Sequence, residues 1–243
     1  MSEILLPATA RNYYLVNKNY SYNSNYDIIW SFQYTVSGFN AGISQLGYTT
    51  FLTTLSSTTS NISAGQYLCT KQSEPQNTAT VLSGTSTTTV NPFNLITIAF
   101  DSTGLFALSS TTRPGLTAVT TNSLIIRGYN SQILCVLPLS STSFNIAPTS
   151  PQTIRCIYSN GAQTLEVSYR NNTTTEYTLL TTISIPYRFI NTSNVDRVYA
   201  GISYCSPISS SNLSSCRLLV NNMHIEGSRN KTDIETINVD ILS

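Results

Sequence analysis

The chain has 243 residues, of which 9 % are charged, 40 % hydrophobic and 10 % aromatic, and its formal net charge is +1. Lys and Arg are scattered singly and form no basic stripe for a phosphate backbone, and no apolar run approaches membrane-spanning length, which excludes nucleic-acid binding and membrane insertion. Ser, Thr and Asn take the place of charges at the surface, and the low net charge removes a usual barrier to self-association, which favours a subunit of an assembly over a free monomer.

The start, Met1-Ser2-Glu3-Ile4-Leu5-Leu6-Pro7, lacks the basic and long apolar regions of a secretion signal, so synthesis in a cytoplasm is expected. Residues 1–25 form a tyrosine-rich lead-in carrying Tyr13, Tyr14, Tyr20 and Tyr22, read as an N-terminal arm or an edge strand. From Ile28 to Tyr34 apolar side chains alternate, with Ile28, Trp30, Phe32 and Tyr34 on one face and Ile29, Ser31 and Gln33 on the other. A strand with one buried side requires this spacing, and it places the single tryptophan in the core. Strands are predicted likewise at Tyr48 to Leu55, Leu95 to Asp101, Ser123 to Arg127 and Ile133 to Pro138. Thr153 to Tyr158 and Leu165 to Tyr169 flank Ser159-Asn160-Gly161-Ala162, where Asn-Gly is expected to supply the positive φ angles of a tight hairpin turn. Further strands follow at Tyr177 to Ile185, Arg197 to Tyr204 and Arg217 to Glu226, with polar loops at Ser56 to Ser63, Ser83 to Thr89 and Ser206 to Ser215. No window holds a helical apolar period, so the chain is all-β, one sandwich over residues 26–228 with a C-terminal tail at 229–243.

Cys69, Cys135, Cys156, Cys205 and Cys216 are odd in number and lack metal-ligand spacing, so they read as buried thiols, with a Cys205–Cys216 disulfide as the other option. Catalytic signatures are lacking. Glycoside hydrolysis needs two carboxylates across one bond, and the eleven acids are dispersed with no Glu-Xaa-Asp-Xaa-Xaa-Glu strand. The sole histidine, His224, has only Glu226 as a nearby carboxylate and belongs to no recognisable triad, and Gly38-Phe39-Asn40-Ala41-Gly42 lacks the lysine of a phosphate loop. The expectation is a protein that is not an enzyme and carries no cofactor or metal.

The order of three stretches resembles the L-type lectin branch of the concanavalin A-like lectin/glucanase superfamily. Gly47-Tyr48-Thr49-Thr50-Phe51-Leu52 is similar to its Asp-Gly-Leu-Ala-Phe-Phe strand, and Ile96-Thr97-Ile98-Ala99-Phe100-Asp101 to its Val-Ala-Val-Glu-Phe-Asp strand. The run from Ile154 to Ile202, through Ile157-Tyr158-Ser159-Asn160-Gly161, Thr164-Leu165-Glu166-Val167 and Val198-Tyr199-Ala200-Gly201-Ile202, is similar to its Ile-Xaa-Tyr-Asp-Gly, Leu-Xaa-Val and Val-Gly-Phe succession. The resemblance implies a two-sheet antiparallel jelly-roll sandwich. It also implies what has been lost: the metal-holding Glu position is Ala99, the sugar-binding Asp position is Leu46, and Asp101 alone survives.

Chains of this Ser/Thr/Asn-rich kind also resemble structural proteins of marine bacteriophages. That likeness implies a virion structural protein made in the host cytoplasm and carried on the virion surface, as a capsid-decoration, fibre or tail-associated subunit. Its expected partners are other virion proteins in the capsid or tail, with copies of itself and cell-surface glycans as further candidates, and attachment through residues 1–25. The alternative is a metal-independent carbohydrate-binding module in which Tyr48, Tyr129, Tyr187 and Phe189 stack on sugar rings beside Asp101.

Overall fold

The computed structural model describes residues 4–6, 12–16, 26–39, 46–53, 95–102, 122–128, 133–186, 198–205, 217–229 and 236–237. Its strands are β1 (Ile4–Leu6), β2 (Asn12–Val16), β3 (Tyr26–Ser37), β4 (Gly47–Thr53), β5 (Leu95–Asp101), β6 (Ser123–Arg127), β7 (Ile133–Pro138), β8 (Gln152–Ser159), β9 (Thr164–Asn171), β10 (Thr178–Ser184), β11 (Tyr199–Cys205), β12 (Arg217–Arg229) and β13 (Thr236–Ile237). They form two sheets. The first runs β1-β12-β3-β8-β9-β10, with β13 also on β12, and the second runs β2-β11-β4-β5-β6-β7. Every pairing is antiparallel. The all-β sandwich expected from the alternation is therefore the observed architecture.

The alternation of β3 works as the sequence dictates. Ile28, Trp30, Phe32 and Tyr34 are buried completely, whereas Ile29, Ser31 and Gln33 are only partly covered. Across the core they meet Tyr48 and Leu52 of β4, Ile96, Ile98 and Phe100 of β5, and Leu124 and Ile126 of β6. After β7 a 3-10 turn at Leu139–Ser141 opens the passage back to the first sheet, and Leu139, Phe144 and Ile146 of that passage join the same core. Each large apolar side chain buried this way contributes about 1.5–3 kcal/mol of transfer free energy.

A chain of aromatic contacts runs through the core from one sheet to the other and back. Phe32 meets Tyr34 at 5.6 Å between ring centroids, Tyr34 meets Tyr48 at 5.1 Å, and Tyr48 stacks on Phe100 at 5.0 Å. Phe100 stacks in turn on Phe144 at 5.3 Å, and Phe144 meets Tyr169 of β9 edge-on at 5.1 Å. These offset and tilted geometries suit the ring quadrupoles. They explain why so much aromatic area sits inside a chain with few charges.

Residues 4–6 and 12–16, within the tyrosine-rich lead-in, form edge strands: β1 on β12 of the first sheet and β2 on β11 of the second. Removing residues 1–25 would thus strip an edge strand from each sheet. β12 runs beyond the expected Glu226 because a bulge between Asn221 and His224, with Asn222 at φ 48°, lets pairing with β3 resume as far as Arg229. The loops expected at Ser56 to Ser63, Ser83 to Thr89 and Ser206 to Ser215 lie outside the described residues.

The β8–β9 hairpin forms where expected, but its turn differs. Ser159 pairs with Thr164, which leaves a four-residue loop whose positive φ, 53°, falls on Gln163 and not on Asn160 or Gly161. Four-residue loops are commonly built around a type I turn, which asks no positive φ of its central residues. Opposite substitutions are therefore expected to be tolerated at these two positions. A methyl group added at Gly161 meets nothing within 4 Å, so Gly161→Ala should be neutral or stabilise by up to about 1 kcal/mol through the unfolded chain. Gln163→Gly should stabilise by about 1 kcal/mol by relieving the left-handed conformation. Urea midpoints of the two variants test this, and a destabilising Gly161→Ala would refute it.

Candidate functional site

The outer face of the second sheet carries Ala99 and Asp101, the positions where the lectin resemblance places metal ligands, and its composition follows from strand parity. On β5, Ile96, Ile98 and Phe100 point into the core, so Thr97, Ala99 and Asp101 point outward. The cross-strand register then sets Gly47, Asp101 and Ser123 in one row, Thr49, Ala99, Ile125 and Val136 in the next, and Phe51, Thr97, Arg127 and Ile133 in a third. Gly47, Asp101, Ser123, Thr49, Ala99, Ile125, Phe51, Thr97 and Arg127 are all buried. Ala99 and Ile125 form a small apolar cluster of their own, flanked by Ile133 and Val136.

From Ala99 to Val136 the middle row is thus hydrocarbon at the position where a carboxylate would have to stand. Asp101 lies two residues along on the same face, has no solvent exposure, and is engaged within the protein. Leu46 takes no part in this face: its side chain is in the main core. Its backbone is clamped by Ser102, whose N–H donates to the Leu46 carbonyl at 2.9 Å while its Oγ accepts the Leu46 N–H at 2.8 Å. Among the described residues, no three His, Cys, Asp or Glu side chains gather closely enough to share a metal ion.

Tyr48 occupies the core side of β4. Its ring is stacked on Phe100 and has no exposed surface on which a sugar could lie. Strand parity explains the position, since Tyr48 and Leu52 face Trp30 and its neighbours while Thr49 and Phe51 face outward. Tyr129, Tyr187 and Phe189 lie outside the described residues.

The Tyr48 hydroxyl belongs to a buried polar chain. Gln152 Nε2 donates to the Tyr34 hydroxyl at 2.8 Å and to the Asn145 carbonyl at 3.0 Å. The Tyr34 and Tyr48 hydroxyls lie 2.7 Å apart, and Tyr48 donates to the Ile146 carbonyl at 3.3 Å. Both phenols are held neutral. Burial pushes Tyr34 far above its ordinary value against the opposing hydrogen bonds from Tyr48 and Gln152, and it pushes Tyr48 up as well, helped by Tyr34. A folded-state pKa above the unfolded one gives stability that is complete below about pH 10 and falls as pH rises beyond it. The loss is about 1.4 kcal/mol per pH unit for each tyrosine. Urea midpoints should begin to fall near pH 10 and fall more steeply toward about pH 11, and Tyr34→Phe/Tyr48→Phe should flatten that fall by about one proton at pH 10 and by close to two at pH 11. An unchanged slope would remove both phenols from the account.

Cys156 is buried and its thiol is raised well above the ordinary range, chiefly by desolvation, which makes it an inert core residue. Half-buried Cys135 is also raised by burial, partly offset by a hydrogen bond with Thr181. Cys69 and Cys216 lie outside the described residues, and with them any Cys205–Cys216 disulfide. His224 and Glu226 meet at 3.1 Å on the first sheet, facing Ser31 and Ile29 of β3, on the opposite sheet from Asp101.

One grouping was missed in the sequence. The guanidinium of Arg155 lies 3.8 Å from the centre of the Tyr177 ring and that of Arg170 lies 4.9 Å from it, while Arg155 reaches Glu166 at 3.8 Å. The hairpin register carried the signal. Pairing Ser159 with Thr164 puts Arg155 opposite Ser168, with Glu166 and Arg170 as its diagonal neighbours on one face.

No family model matches the sequence, and no curated protein is similar to it in sequence. Among solved structures the chain is similar to a seed lectin of Lotus tetragonolobus, at 14 % identity and a TM-score of 0.52, over 94 % of this chain and 88 % of that one. It is also similar to a lectin from Bauhinia forficata in complex with GalNAc (12 % identity, TM-score 0.49, 89 % and 79 % covered). A third is lectin II from Ulex europaeus (13 % identity, TM-score 0.48, 92 % and 87 % covered). At such identities the likeness is one of fold, and the fold is the concanavalin A-like jelly-roll sandwich of the L-type lectins.

Proposed function

We propose that the protein is a non-enzymatic structural subunit of a virus particle, of the bacteriophage capsid-decoration, fibre or tail-associated kind, which uses a lectin-like sandwich to present a surface. The observation that carries the loss of lectin chemistry is the burial of Ala99 among Ile125, Ile133 and Val136, together with the side chain of Leu46 in the core. A metal-dependent sugar site needs carboxylate oxygens at those places. What remains is a scaffold whose surface is hydroxyl-rich and poor in charge, a composition suited to contacts inside an assembly.

Mass spectrometry of purified particles, followed by imaging of particles that lack the protein, tests the role. The expected result is a stoichiometric chain and lost density at one site, and particles that never contain the chain would overturn it. The second reading, metal-independent glycan binding, is supported by the fold shared with the Lotus seed lectin. Binding on a glycan array that persists in a chelator would favour it, and silence across the array would leave the structural role alone.

A further inference from the structure

We propose that the outer face of the first sheet carries an anion site, built from Arg155 and Arg170 around the Tyr177 ring, and that its ligand is the carboxylate of an acidic polysaccharide. The inference rests on the second reading above, glycan binding without a metal, and gives that reading a place and a ligand class. Strand parity sets the charged residues on this face. Ile154, Cys156, Leu165, Val167 and Tyr169 point into the core, so Arg155, Glu166 and Arg170 point away from it. Tyr177 directly precedes β10 and brings its ring to both guanidiniums, 3.8 Å from that of Arg155 and 4.9 Å from that of Arg170.

The guanidinium of Arg155 is held in place while its donors stay unspent. The aromatic face fixes the cation without using an N–H. Its approach to Glu166, 3.8 Å, is too long for a hydrogen bond, its Nε is buried without a partner, and among the described residues its side chain donates to nothing. An unpaired donor on a charged group is costly, so an oxygen brought to it gains more than at an arginine already paired. Arg170 donates weakly to the Thr175 carbonyl at 3.5 Å. Tyr177 follows the exposed residues 172–176, so its ring can shift to admit an oxygen to Nε.

Charge and shape select the ligand. Two guanidiniums against the Glu166 carboxylate leave one net positive charge, which a monoanion matches and a phosphate dianion exceeds. Glu176, the chain neighbour of Tyr177, is exposed and screened by solvent. A carboxylate is planar and takes two parallel N–H donors from one guanidinium. The surroundings favour a sugar over an acidic peptide as its carrier. Ser31 lies opposite Arg155, Gln33 follows on the same face of β3, and Thr182 lies opposite Glu166, all at least partly exposed and able to meet ring hydroxyls. A peptide partner needs apolar anchors, and among the described residues Leu179 is the exposed large hydrophobic.

The Arg155 side-chain Nε–H signal, assigned by its loss in Arg155→Gln, is expected to shift saturably as sodium glucuronate is added to the full chain, at about millimolar concentrations, and not with glucose. In calorimetry an oligouronate should bind severalfold tighter than glucuronate, and an oligoglutamate of equal charge should not. Arg155→Gln and Arg170→Gln should each weaken glucuronate binding about tenfold at unchanged circular dichroism, with Arg155→Lys, which keeps the charge and loses the fork, falling between. Glu166→Gln should narrow the preference for glucuronate over inorganic phosphate severalfold. The absence of a saturable shift, or wild-type affinity in both arginine-to-glutamine variants, overturns the site, and tighter binding of oligoglutamate overturns a polysaccharide as its occupant. Neutral glycans bound equally by wild type and Arg155→Gln, with no response to glucuronate, would end this site and leave the second reading standing, whereas silence to neutral and acidic glycans alike ends both.

Discussion

Trp30→Ala is expected to remove about 3–5 kcal/mol of stability, a large share of the 5–15 kcal/mol typical of a domain. The size follows from where the ring sits. Trp30 has no exposed surface, lies in the central strand of the first sheet, and pairs with Cys156 on one side and Ile225 on the other. Its indole N–H donates to Thr50 Oγ1 at 3.1 Å, and that hydroxyl donates onward to the Gly201 carbonyl at 2.9 Å. The ring therefore joins β3 of one sheet to β4 and β11 of the other. Deleting it opens a cavity that a sandwich of paired strands collapses into poorly, and it takes from Thr50 its buried donor. At this chain length the loss corresponds to a fall in Tm of about 6–20 °C. Trp30→Phe, which keeps most of the ring volume, should cost about 1–3 kcal/mol through the orphaned Thr50 oxygen and the smaller ring. A Trp30→Ala protein as stable as the wild type would mean that the two sheets are not joined there.

The strands that were legible in the sequence are those whose two faces differ. β3 alternates because one side meets the core and the other is partly open, and its face assignment is read correctly from Ile28 to Tyr34. The second sheet gives no such contrast: Leu46 through Leu52, Ile96 through Asp101 and all of β6 are buried on both sides. Where both faces are covered, alternation loses its meaning. That is why Tyr48 reads as a candidate stacking ring in the sequence, whereas in the structure it is a core phenol bonded to Tyr34. The positive φ at Gln163 was hidden for a different reason. Asn-Gly is the strongest local hairpin signal, but loop length decides which position turns left-handed, and length depends on the register of β8 with β9. The cluster of Arg155, Arg170 and Tyr177 likewise exists only once that register is fixed.

Ala99→Glu would restore the residue type that the lectin strand carries, and it is expected to destabilise the fold by about 3–5 kcal/mol at neutral pH. The new carboxylate would enter the cluster of Ile125, Ile133 and Val136, with Asp101 two residues along the same face. Desolvation and the neighbouring acid both raise its folded-state pKa. For a carboxyl raised in this way the electrostatic loss is small below the unfolded value near pH 4 and grows as pH rises toward the folded one. The urea midpoint of the variant relative to wild type should therefore fall between about pH 4 and pH 8. Calcium separates the two meanings of the result. A lectin site short of a single ligand would regain stability as RT ln(1 + [L]/Kd), about 2.7 kcal/mol at a hundredfold excess over Kd. An Ala99 position rebuilt as part of a hydrocarbon cluster would regain nothing. The second outcome is expected, because Leu46, the other position the resemblance assigns to an acid, has its side chain in the main core and its backbone clamped by Ser102. Calcium-dependent recovery of Ala99→Glu would instead identify the outer face as a metal-binding lectin site reduced by one residue, and glycan recognition through that metal would then replace the structural role as the better reading.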